Sequence, residues 1–324
     1  MALKQKIIVG SRGSDLALWQ ANFIQKELER KHKNVVVETK MIKTKGDKIL
    51  DVALSKIGDR SLFTKELEIE LLNKKIDLAV HSLKDLQTEI PEGLKLSAVT
   101  KRHNVQDVLI ARKKGTTIFN LPMGATVGTG SLRRRSQLLH LRPDLNIIDL
   151  RGNVPTRINR FLKSSWDAIV LARAGVERLK LNRHISSIIS TEVMLPAVGQ
   201  GALGIETRAD DSTLNNVIQA IHHEPTYKSI LAERALLKTL EGGCQVPIGA
   251  FAEVKQNGLF LDAIVGSLDG SLTFRKKARG SKANPEKLGK ALAKDLLNAG
   301  AKSILNEIYH SARGGEEQGG SDEK

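Results

Sequence analysis

Short β-branched runs alternate along this chain with stretches of helical period, the pattern of βα units built around mostly parallel sheets. Lys6–Val9 predicts a first strand. Behind it Ser14 is placed to cap a helix in which Leu16, Trp19, Phe23 and Leu28 recur at helical spacing. Val35–Ile42 predicts a second strand, Phe63–Asn73 a helix and Asp77–Val80 a third strand. The pattern then resets. Ala125–Val127, Ile147–Leu150 and Ala168–Leu171 each predict a strand followed by a turn and a helix, giving a second α/β domain that begins near Arg102.

After Ala220 the style changes. Two helical stretches flank Pro225, and a glycine-rich loop around Cys244 follows the second. Three strands are expected at Ile248–Val254, Leu259–Val265 and Leu272–Ala278, separated by Asn257-Gly258 and Asp269-Gly270 turns. A helix from Pro285 to Asn298 and another to about Tyr309 close the pattern. Strands in series followed by helices predict an α+β third domain. From about Ser311 the chain is Gly-, Glu- and Ser-rich, the composition of a disordered tail.

Composition narrows the function classes. The 324 residues carry a formal charge of +15, which admits nucleic acid, an anionic surface or a small polyanion as partner. Aromatic residues are only 3%, too few for the stacking platforms of single-strand binders. No apolar run approaches the length of a membrane helix, and the first residues show no signal-peptide core. With a single cysteine, the expected compartment is the cytoplasm. The arginines are unevenly placed: between Gly128 and Lys163 there are seven, with one lysine, against Asp144 and Asp149. Arginine is the planar fork that grips carboxylate or phosphate through paired hydrogen bonds, so this stretch reads as a holder of several anionic groups.

Three strand ends repeat one device. Gly10–Ser14, Gly128–Arg134 and Arg151–Arg157 each join a strand to a helix through glycines, hydroxyls and arginine. Free backbone N–H groups and the positive helix end make such a turn an anion site, and open α/β sheets bind ligands beyond the carboxyl ends of their strands. Lys84 and Asp85 also fall just past a strand end, where an ordinary solvated first-turn pair is the competing reading. His81 reads as a packed, hydrogen-bonded residue. No spacing of His, Asp or Glu predicts a metal site. The glycine-punctuated segment from Lys43 to Arg60 reads as a lid or a plain surface excursion, with Lys56 and Arg60 facing any anionic ligand.

Taken in order, Ser11–Ala17, Gly46–Leu50, Leu62–Leu67, Val80–Asp85, Gly128–Arg134, Arg151–Asn153, Pro196–Ala202, Ala232–Ala235 and the Cys244 loop closely resemble the hydroxymethylbilane synthase (porphobilinogen deaminase) family. The resemblance runs from the first strand to about Tyr309. It implies an α/β protein of three domains. The first two resemble the lobes of a periplasmic binding protein around a cleft, and the third is a smaller α+β domain carrying the cysteine. The implied boundaries are 1–101 plus 201–219, 102–200 and 220–310, with 311–324 as the tail.

The resemblance also implies a chemistry. Cys244 would hold, through a thioether, a dipyrromethane cofactor assembled from the enzyme's own substrate. Four porphobilinogen units would add in turn, each losing ammonia, before hydrolysis releases linear hydroxymethylbilane. Asp85 would be the catalytic residue, stabilising cationic pyrrole species and moving protons. Lys84, Ser82, Thr129, Ser131, Arg133, Arg134, Arg157 and Gly201 would bind the cofactor. Arg12, Arg151, Arg178, Gln200, Lys56 and Arg60 would bind substrate. No metal, nucleic acid or membrane is implied; a monomer is expected, with hand-over of product to the next pathway enzyme as an open possibility. Departures from the family pattern are Gly130 for a frequent serine, Arg60 for lysine, Asp15 for proline, Arg173 at a usually apolar position and the added Arg135. The alternatives are a two-lobed anion-binding protein without catalysis and, on charge alone, a nucleic-acid binder; the presence of both Asp85 and Cys244 separates the enzyme from the first.

Overall fold

A computed structural model describes residues 5–44, 64–240 and 246–314, with side chains to 308. The expected lid, including Lys56 and Arg60, and the loop carrying Cys244 lie outside the described residues.

The first strands are β1 (Gln5–Ser11), β2 (Val35–Met41), β3 (Leu78–Ser82) and β4 (Leu94–Val99). The chain then crosses and forms β5 (Asp107–Ala111), β6 (Thr126–Gly128), β7 (Asn146–Ile148), β8 (Ala168–Ala172) and β9 (Ser187–Ile189). It crosses back for β10 (Leu203–Arg208) and ends in a meander of β11 (Ile248–Lys255), β12 (Gly258–Gly266) and β13 (Thr273–Gly280). The first sheet runs β2-β1-β3-β10-β4 and the second β7-β6-β8-β5-β9. In each, one strand, β10 or β5, is antiparallel to both its neighbours, and it is the strand delivered by a crossing.

Alternating burial covers both faces of each sheet. Ile7 and Val9 pack with Ala21, Ile24 and Leu28 of helix Asp15–Lys31, while Ile42, Ala79 and Leu94 pack with Leu67 and Leu71 of helix Lys65–Leu72 on the other face. Ser14 caps the first helix as expected, its side chain accepting from Ala17 N–H. The second sheet is sandwiched likewise: Leu109, Val127 and Val170 meet Leu138, and Ile110, Ile169 and Leu171 meet Ile158 and Phe161. The meander packs one face on helices Glu224–Thr239 and Pro285–Leu296.

Pattern reading placed three strands in each of the first two sheets; each has five. The additional β4, β5, β9 and β10 are held by partners remote in sequence, so local alternation alone did not reveal them. Two helical stretches flank Pro225 as expected, Ser212–Ile218 before it and Glu224–Thr239 after it, and Pro225 itself sits in the first turn of the second, where its missing N–H costs nothing. The last helix, Lys302–Gly314, runs past Ser311.

The two crossings lie side by side. His103 N–H donates to Gly201 O (3.1 Å) and Thr100 N–H to Leu203 O (3.1 Å). The third domain grips this seam through Glu233, which has no exposed side-chain surface. Its carboxylate accepts from Arg102 Nη1 (2.5 Å) and Nη2 (3.1 Å), from Gly199 N–H (2.8 Å) and from Ala252 N–H in β11 (2.7 Å). One buried carboxylate thus ties both crossings to the third sheet.

Candidate functional site

The carboxyl end of β3 breaks into a single 3-10 turn, Leu83–Asp85. Leu83 anchors it in a small apolar cluster with Leu86, Val99, Ala202 and Ile230. Lys84 is left half-buried and Asp85 exposed at the sheet edge. Arg234 of the third domain donates to Leu86 O (3.1 Å) and Gln87 O, fixing the chain just past Asp85. Before the turn, Ser82 Oγ accepts from Gln20 Nε2 (2.7 Å), and His81 pairs with buried Glu206 (2.9 Å), the packed role expected of it.

In the second lobe, Thr129 N–H donates to Ile148 O (2.9 Å), and Thr129 Oγ1 accepts from Ser131 N–H (3.3 Å). Ser131 caps helix Leu132–Leu141. Between them Gly130 is closely packed: a Cβ there would lie 2.8 Å from Asp149 Oδ1 and 2.9 Å from Leu150 O, so a larger residue must shift its neighbours. Arg133 and Arg134 turn inward to Asp107, at 2.9 and 2.8 Å. Gly152, with φ +102°, makes the turn in which Arg157 Nε donates to Gly152 O (2.6 Å). Asn153 caps the helix that begins there. Arg178 lies over the Trp19 ring (5.4 Å) and donates to Gly201 O (2.8 Å), bridging the lobes. Arg12 is half-buried, and Arg151 pairs with Asp149 (3.3 Å).

Ser82, Lys84, Arg134, Arg157, Arg178, Gln200 and Gly201 line one cleft between the lobes, with about 500 Å3 of unfilled space including the solvent at its mouth. Arg133, Arg12, Arg151, Thr129 and Ser131 stand outside that lining. Burial pushes the Lys84 ammonium below its ordinary pKa, with Arg134 and Arg157 adding to the fall and Asp85 opposing it. Burial first, then Arg134, lowers Arg157 to about 10, again against Asp85. Burial lowers Arg178 to about 10. These mutual effects place Asp85 among the cations although it is exposed. A cleft of crowded cations with one carboxylate at its edge binds an anion strongly and steadies a positive charge formed beside that carboxylate.

Sequence reading missed Asp107, Gln20 and Trp19. Asp107 opens a strand that pattern alone did not reveal. Gln20 and Trp19 lie on a helix whose period signalled only packing. The departures find partners: Arg173 pairs with Glu177 (2.7 Å), and Arg135 donates to Leu268 O of the third domain (3.3 Å).

Among solved structures the chain is similar to the methionine-binding protein MetQ, with 16% identity and a TM-score of 0.43 over 67% of this chain and 89% of that one. A family model described as porphobilinogen deaminase, dipyromethane cofactor binding domain, matches residues 7–216, and one described as porphobilinogen deaminase, C-terminal domain, matches 227–298. The porphobilinogen deaminase of Carboxydothermus hydrogenoformans is 52% identical over 310 residues, covering 96% of this chain and 99% of its own. That of Chlorobium phaeobacteroides is 50% identical over 310 residues, covering 94% and 99%. With two family models spanning most of its length and relatives this similar end to end, the chain belongs to the porphobilinogen deaminase family.

Proposed function

We propose that the chain acts as a hydroxymethylbilane synthase, condensing four porphobilinogen molecules with loss of ammonia at each step and releasing linear hydroxymethylbilane by hydrolysis. The observation that carries this reading is the meeting of Lys84, Arg134, Arg157 and Arg178 in one interlobe cleft, with Asp85 next to Lys84 in the chain and acting electrostatically on Lys84 and Arg157, in a chain of this family. Each pyrrole brings an acetate and a propionate, so ligand and product are polyanions.

The residues present fit a dipyrromethane group. Arg134 Nε and Arg178 Nε are buried with no hydrogen-bond partner among the described residues, donors suited to carboxylates. Cys244 would tether the group, and Lys84, Ser82, Thr129, Ser131, Arg133, Arg134, Arg157 and Gly201 would hold it. When bound, it supplies the terminal pyrrole carbon that accepts incoming units. Arg12, Arg151, Arg178, Gln200, Lys56 and Arg60 are assigned to incoming substrate. Asp85, which acts electrostatically on Lys84 and Arg157, is assigned to the pyrrole that becomes positive as ammonia leaves, where its carboxylate steadies that charge and exchanges the proton at the pyrrole nitrogen. The fixed guanidiniums orient the carboxylates before reaction, so little reorganisation is left for the chemical step.

The same reading takes 1–101 with 201–219, 102–200 and 220–310 as domains, the protein as a cytoplasmic monomer, and direct transfer of product to a following enzyme as its partner interaction. Incubation with porphobilinogen tests the function: ammonia is expected to appear with linear tetrapyrrole in a ratio of four to one, as the reaction's balance requires. Binding of porphobilinogen without ammonia release would instead indicate an anion-binding protein.

A further inference from the structure

We infer that Asp107, outside the cofactor- and substrate-binding set assigned above, is a positioning residue that aims Arg134 and Gln200 at a ligand bearing a carboxylate beside an N–H donor. The inference rests on the proposed function and adds to it a recognition rule for the pyrrole nitrogen.

Asp107 opens β5, where the first crossing enters the second lobe, and its side chain has no exposed surface. Oδ1 accepts from Arg134 Nη2 (2.8 Å) and Gln200 Nε2 (2.9 Å), and Arg133 Nη2 lies 2.9 Å from Oδ2. Burial alone would raise the carboxyl pKa; Arg133 and Arg134 override it and hold the group well below the usual carboxylate range. Asp107 is therefore a fixed negative charge.

That charge orients two cleft-lining side chains. The Arg134 guanidinium is pinned at both terminal nitrogens, by Asp107 and by Val170 O (3.0 Å to Nη1). Its Nε–H is buried without a partner among the described residues. The Gln200 amide has its nitrogen pinned by Asp107 and by Val105 O (2.6 Å), which fixes which way round the amide sits. Its Oε1 is likewise buried without a partner. The free donor suits a carboxylate, and the free acceptor suits an N–H. Without the negative charge each side chain keeps only its backbone anchor, Val105 O for the amide and Val170 O for the guanidinium, so Arg134 Nε and Gln200 Oε1 are no longer held in fixed register.

The test uses the full chain, calorimetric binding and two probes: a pyrrole carrying acetate and propionate but no aminomethyl group, and its N-methyl derivative. Wild-type protein is expected to prefer the N–H pyrrole by about tenfold, the scale of one buried hydrogen bond. Asp107→Asn is expected to bind both weakly and to lose that preference. Leu109→Ala, a cavity in the same strand, controls for loss of stability and is expected to keep the preference. If Asp107→Asn does not fold, Asp107→Glu, which keeps the charge but moves the carboxylate, is expected to show the same loss. Wild-type protein without the preference, or a folded Asp107 variant that retains it, overturns the inference while leaving the proposed function standing. A wild-type chain that binds neither pyrrole overturns both.

Discussion

The first and second sheets share one strand order, with a fourth strand that runs antiparallel and arrives from the other lobe, yet their carboxyl edges carry different chemistry. At the first edge stand Ser82, Lys84 and Asp85, the last exposed. At the second stand Arg134, Arg157 and Arg178, pressed into low-dielectric surroundings that lower the latter two to about 10. The apolar alternation that builds the sheets is nearly interchangeable between lobes. The difference lies in the few polar residues after each strand, as expected where a fold is a scaffold and a site is grafted on it. In the proposed function one edge supplies the reacting carboxylate, the other the grip.

That division can be broken by substitution. Asp85→Asn is expected to lower kcat by about a thousandfold, while changing unfolding free energy by no more than about 0.5 kcal/mol, because the side chain is exposed. Rate assays beside denaturant melts check it; a matching collapse of stability would mean that Asp85 is structural. Glu233→Gln removes the charge shared by both crossings and the third sheet, and is expected to cost about 3–5 kcal/mol in guanidinium unfolding.

Arg157→Lys exchanges a planar fork for a point charge and is expected to raise KM for porphobilinogen about tenfold with kcat nearly unchanged. A fall in kcat alone would contradict the assignment of grip to the second lobe. The same cations set a pH dependence. Lys84 is held below its ordinary value, and Arg157 and Arg178 lose charge near pH 10, so anion affinity should fall as pH rises toward 10. Calorimetric titration across that range checks the sign. The smallest effect is expected from Gly130→Ser, which restores a residue frequent in the family. The new Cβ would press on Leu150 O and cost about 1 kcal/mol, measured as a lowered melting temperature.

Much of this was legible in the sequence because it is local. The Ser14 cap, the arginine cluster after Gly128 and the hairpin expected at Asn257-Gly258, whose turn residues are one position earlier at Gln256 and Asn257, depend on neighbours within a few residues. So did the packed reading of His81, although its partner Glu206 lies 125 positions away. What escaped reading is non-local. β5 and β10 are specified by their neighbours in the sheet, and Asp107 gains meaning only when Arg134 and Gln200 meet it across 27 and 93 positions. The arginine cluster also splits in a way that counting could not show: Arg134 and Arg157 line the cleft, whereas Arg133 turns to Asp107 and Leu195 O, and Arg142 to Asp144.

The central claim is a growing tetrapyrrole anchored at Cys244 and completed at Asp85. Its most direct test is the intact mass of the purified chain beside Cys244→Ser. The account predicts an excess equal to two porphobilinogen units less two ammonias, present in the wild type and absent from the variant. A wild-type chain of unmodified mass, unchanged after incubation with porphobilinogen or preformed hydroxymethylbilane, would contradict it.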